Sequence, residues 1–82
     1  LRDPTYFCAQ PLWRLGIQLE PGLEVFFESE EDALAGAQKM ARYAAGAVAY
    51  SFEGRPEYGV RGVPFILAVF GELPDQEVVW AA

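Results

Sequence analysis

The chain reads as an α+β domain: a mostly antiparallel sheet of about five strands with one amphipathic helix on one face, in the order β-β-α-β-β-β. Three features carry that reading. An alanine-rich run between residues 30 and 45 repeats its apolar positions at spacings of three and four. Several short runs are instead rich in aromatic and β-branched residues that alternate with polar ones. Between these runs stand glycines and prolines of the kind that reverse a chain.

Taken in order, Tyr6-Phe7-Cys8-Ala9-Gln10 favours a pleated surface, and Pro11 within the run marks an edge strand or a bulge. The strand continues through Leu12-Trp13-Arg14. Leu15-Gly16 permits a tight reversal, and Ile17-Gln18-Leu19 alternates as a half-buried returning strand does. Pro21-Gly22 interrupts it. The run resumes over 23–27, with Leu23, Val25 and Phe27 on one face and Glu24 and Phe26 on the other.

Ser29 followed by Glu30, Glu31 and Asp32 starts a helix, since the hydroxyl caps open amides and the carboxylates complement the positive end of the dipole. Leu34, Ala37, Ala41 and Ala44 then fall on one stripe, and Gly46 is the expected left-handed stop. The spacing predicts a helix over 30–45. The run 47–52 follows as a strand, with Tyr50 and Phe52 on one face and Val48, alanine and Ser51 giving the other. Residues 53–62 form the longest loop. Residues 63–70 make the most hydrophobic strand, expected at the sheet centre because both of its faces are apolar. After a turn over 71–75, Glu77-Val78-Val79-Trp80 reads as a short final strand.

At 82 residues the chain fits a single domain, since a globule of this size buries only about 60% of its unfolded surface and cannot divide its core. Apolar residues at 52% and charged ones at 22% lie in the range of folded proteins. The net charge of -6 repels phosphate backbones and anionic lipid, and the six scattered basic residues form no run. Nucleic acid and membrane partners are therefore disfavoured. A lone Cys8 forms no internal disulfide, and no apolar run approaches the roughly 20 residues that span a bilayer. Cytoplasmic residence is the expectation.

The chemistry-bearing residues are few. With no histidine, Cys8, Ser29 and Ser51 lack the usual activating base, so the histidine-dependent triads are excluded and no cofactor is implied. An enzyme is disfavoured. Glu28, Glu30, Glu31 and Asp32 fan out around a first helical turn, whereas a calcium loop alternates its ligands around a glycine. No metal site is expected there.

Two regions remain. In the long loop, Glu53, Arg55, Glu57, Tyr58 and Arg61 gather charge on a glycine-bearing backbone, and either arginine is suited to clamp an anionic small molecule. The bland reading is a solvated loop with alternating charges. Aromatic residues make up 15% of the chain, more than one helix covers. Phe7, Trp13, Tyr50, Phe52 and Trp80 are therefore candidates for a protein interface on an uncovered sheet face, a homodimer being the simplest partner. A sheet that curls and buries its own aromatics is the competing reading.

The segments Gly46-Ala47-Val48-Ala49-Tyr50-Ser51, Gly54-Arg55-Pro56-Glu57-Tyr58-Gly59 and Phe70-Gly71-Glu72-Leu73-Pro74 resemble a group of short bacterial proteins of unknown function. The resemblance rests on turn glycines and prolines and brings no activity with it. In that group an acidic residue often precedes the proline, where this chain has Arg55. Association through an uncovered sheet face and an edge strand is the leading expectation, and small-molecule binding by the 53–62 loop is the alternative.

Overall fold

The computed structural model describes residues 3–72. Their order is β1 (Thr5–Leu15), β2 (Gln18–Pro21), β3 (Val25–Phe27), α1 (Glu30–Met40), β4 (Gly46–Arg55), a 3-10 turn at Pro56–Tyr58, β5 (Val60–Arg61) and β6 (Phe65–Gly71). The α+β class and the antiparallel sheet match the reading of the sequence. The six strands differ from the expected five in two ways. The interrupted run before the helix becomes two separate strands, and two residues of the long loop pair as β5. The expected strand at 77–80, with Trp80, lies outside the described residues.

β1 and β4 form the middle of the sheet, paired antiparallel from Thr5↔Glu53 to Leu12↔Gly46. Outside β1 lie β2 and β3, one beyond the other, and outside β4 lie β6 and β5 in the same manner. β1 is thus not the edge strand that Pro11 suggested. The reason is local. The Pro11 carbonyl accepts the Gly22 amide at 2.8 Å, and because the N–H and C=O of a strand residue point to the same side, the donor that proline lacks faces the break between β2 and β3. No ladder bond is lost.

The first reversal is as expected: Leu15 pairs with Gln18 around Gly16-Ile17, and Gly16 has φ +66°, the glycine-first arrangement of a type II′ hairpin. The helix start is also as expected. Ser29 has extended dihedrals and its hydroxyl oxygen accepts the Asp32 amide at 3.1 Å, with Glu30, Glu31 and Asp32 in the first turn. The helix end is not. α1 stops at Met40, Arg42 and Tyr43 make tightened bonds to Lys39 and Met40, and the Ala45 amide then donates to the Leu12 carbonyl of β1. That long-range bond draws the chain into the sheet before another helical turn can form. Gly46 does not adopt positive φ but opens β4, where a Cβ would sit 2.7 Å from the Phe70 carbonyl oxygen.

Side chains alternate along each strand, so the two faces have different contents. On the helix face, Ala33, Ala37 and Met40 of α1 are buried, and Ala37 and Met40 pack on Ala9, Ala47 and Ala49, flanked by Phe27, Leu34, Ala41, Leu67 and Phe70. The small side chains let the helix axis approach the sheet closely. On the second face, Cys8, Val48, Tyr50 and Phe52 are buried, with Tyr6 and Val69 packed against them. Val48 therefore shares the face of Tyr50 and Phe52, contrary to the assignment made from the sequence.

β6 is not the central strand. Among the described residues it pairs with β4 alone. Its two apolar faces have another cause: Leu67 and Phe70 reach the cluster under the helix, while Val69 joins the cluster on the second face. A register irregularity at Ala49/Tyr50 accompanies that division.

Candidate functional site

The second face holds the most organised group of polar side chains. Glu24, placed by the extended chain just before β3, lies over the middle of the sheet. The Tyr50 hydroxyl donates to its Oε2. Arg61 of β5 donates from Nη2 to the same oxygen at 2.7 Å and from Nη1 to Oε1 at 3.2 Å, a two-pronged pairing that the planar guanidinium favours. The guanidinium carbon also lies 4.1 Å from the centroid of the Phe52 ring. Tyr6, Phe26 and Phe52 complete the setting with mutual ring contacts at 5.4 to 6.2 Å.

This geometry explains the ionisation of each group. Partial burial works against the Glu24 carboxylate, but the hydrogen bonds from Arg61 and Tyr50 outweigh it and hold the pKa below the usual range. The Arg61 guanidinium is held still more firmly charged by its bond to Glu24. Burial, then the bond to Glu24, pushes the Tyr50 phenol well up. Burial, assisted by the Glu24 charge, raises the Cys8 thiol to about 12. Cys8 is thus a packed thiol beside an anion, the reverse of the electropositive setting that activates cysteine.

The loop residues singled out from the sequence do not converge. Arg55 pairs with Asp3, Nε to Oδ1 at 3.0 Å, and Arg61 is held by Glu24. Both guanidinia proposed for an anion are engaged by carboxylates of the chain itself. Glu57 and Tyr58 lie in the exposed 3-10 turn, apart from either pair. Glu53 alone faces a cavity.

That cavity, about 400 Å³, is lined by Thr5 of β1, Ser51, Phe52 and Glu53 of β4, and Gly62, Val63 and Phe65. It arises where β4 changes partner from β6 to β5. The Gly62 amide donates to the Glu53 carbonyl at 2.7 Å, and a Cβ at Gly62 would sit 2.8 Å from that oxygen, so only glycine brings the chain so close. From there Val63-Pro64 bridges outward to β6. Thr5, Ser51, Glu53 and Phe65 share the helix side of the sheet through the pairs Thr5↔Glu53 and Ser51↔Phe65.

The aromatic interface candidates are likewise dispersed. Tyr50 and Phe52 are each only 3% exposed, covered by the Glu24–Arg61 pair and neighbouring rings. Phe7 and Trp13 are on the helix face, Trp13 against Tyr43 at 5.9 Å. Of the candidates, Trp13 stays exposed, and further exposed apolar side chains are spread over the described residues, among them Ile17 and Leu23 before the helix and Val63, Phe65 and Ile66 beside and within β6. Glu24 was missed from sequence, although one signal was available: it shares a strand face with Phe26, and a carboxylate on an apolar face needs a partner.

Among the described residues no three Cys, Asp or Glu side chains gather as metal ligands, and no helix is long and apolar enough to cross a membrane. No protein-family model, curated protein or solved structure matches the chain.

Proposed function

We propose that this chain is a non-enzymatic cytoplasmic domain that acts through protein association, with β6 as its docking edge and a second copy of the chain as the partner. One observation carries the reading: residues 63–70 contain no charge, Val63 and Phe65 are 91% and 68% exposed, and the outer edge of β6 takes no strand among the described residues. Edge strands of monomers are ordinarily guarded by lysine or another charge, and an apolar edge without one is a template for strand addition.

Self-pairing fits the lack of charge along the edge. An antiparallel pair of copies sets residues 63–70 of one beside the same uncharged residues of the other, so no like charges oppose each other. The lack of enzymatic role is supported by Cys8, whose thiol is buried and held protonated. A reducing cytoplasm suits a lone thiol of this kind.

Light scattering from about 10 µM to about 1 mM tests the reading, since weak dimers populate in that range. The expected mass rises toward the dimer. Ile66→Lys, which places a charge on the edge at a position 40% exposed, is expected to remain monomeric with its circular dichroism unchanged. A strictly monomeric wild type, or an Ile66→Lys variant that dimerises equally well, overturns it.

A further inference from the structure

The cavity beside β4 shares Val63 and Phe65 with the docking edge and adds polar groups of its own. Its only ionisable lining residue is Glu53, and Thr5 and Ser51 add two hydroxyl groups on the same side of the sheet. Beside these polar groups stand the exposed side chains of Val63 and of Phe65, the strand partner of Ser51. No residue of α1 lines the space.

Charge decides what such a cavity accepts. Arg14, Arg55 and Arg61 each make an ion pair, with Glu72, Asp3 and Glu24 respectively, whereas Glu53 makes none among the described residues. No cation lines the cavity, so an anion would meet an uncompensated carboxylate. A carboxylate, two hydroxyls and an aromatic face together suit an organic ammonium group: the charge pairs with Glu53, the N–H groups find acceptors, and the hydrocarbon lies on Phe65 and Val63. The volume of about 400 Å³ falls within the range of small-molecule sites.

We infer that this cavity is a binding site for a small primary ammonium compound, held by Glu53 and the Thr5 and Ser51 hydroxyls against Phe65 and Val63. The inference replaces the anionic ligand expected from the loop arginines, and it does not depend on association through β6.

The test is a titration of the isotopically labelled chain with benzylammonium, with benzoate and benzyl alcohol as probes of the same size and different charge. Saturable amide shifts are expected at residues 5, 51, 53 and 62–65 with benzylammonium, weaker ones with the alcohol, and none with benzoate. Glu53→Gln is expected to weaken benzylammonium binding about tenfold or more, as loss of a charge-assisted contact does. Glu57→Gln, which removes a carboxylate outside the cavity, is expected to leave it unchanged. Phe65→Ala, which keeps Glu53, is expected to weaken it as well. Benzoate binding as tightly, equal losses in Glu53→Gln and Glu57→Gln, or no saturable shift with benzylammonium overturns the inference.

Discussion

Arg61 stacks on Phe52, its guanidinium carbon 4.1 Å from the ring centroid, and so serves as the lid of an aromatic cluster whose other members come from β1, β3 and β4. The same guanidinium binds Glu24 through two nitrogens. One side chain thereby connects β5 to the segment before β3 across the sheet.

Replacing that lid has a graded cost. Arg61→Ala is expected to lower stability by about 1–2 kcal/mol, because it removes the ring contact and leaves Glu24 without its cation. Arg61→Lys retains the charge but not the planar fork, and an intermediate loss is expected. Urea unfolding monitored by circular dichroism measures both; equal stability of Arg61→Ala and wild type would count against the assigned role.

Acid should loosen the same connection. The folded-state pKa of Glu24 lies below its ordinary value of 4.5, so its contribution is complete above that value and lost as the pH falls through the folded pKa. Urea midpoints should therefore fall as the pH is lowered below about 4.5. In Glu24→Gln the dependence should be shallower, with lower stability at neutral pH. Parallel profiles for the two proteins would disprove the linkage to Glu24.

Cys8 should be chemically silent in the native state. With the thiol fully buried and raised to about 12, an aromatic disulfide reagent is expected to react only at the rate at which the chain opens. Addition of urea should accelerate the reaction sharply. Cys8→Ser is expected to cost about 1–3 kcal/mol by burying a hydroxyl, and Cys8→Ala less than that.

Two glycines should differ in their tolerance of alanine. At Gly46 a Cβ meets the carbonyl oxygens of Phe70 at 2.7 Å and Glu72 at 2.8 Å, both backbone atoms, so Gly46→Ala must displace β6. A loss of about 2 kcal/mol or more is expected. Gly16 has φ +66° with open space around it, so Gly16→Ala incurs only the backbone cost of about 1 kcal/mol. Thermal denaturation should rank the two in that order.

Features that depend on near neighbours were legible in the sequence. The Ser29 cap, the acidic first turn and the Gly16 reversal each need only a few adjacent residues, and each formed as expected. Where a distant group intervenes, local reasoning failed. Gly46 had the credentials of a helix stop, yet the Leu12 carbonyl captures the Ala45 amide first. Pro11 signalled an edge, yet the break between β2 and β3 supplies the gap it needs. Arg55 and Arg61 looked available to an anion because their partners, Asp3 and Glu24, lie far away in the chain and next to them in the sheet. The cavity was hidden for the same reason, since Thr5 and Glu53 face each other only through the β1–β4 register.

That register has a consequence for the order of folding. β1 and β4 stand at the centre, yet Thr5 must find Glu53 and Leu12 must find Gly46 across the whole intervening chain, including the helix. The β1–β2 hairpin and α1 are local and can form early, whereas the central pairing requires a long loop to close. The slow step in assembling this domain is therefore the joining of its middle.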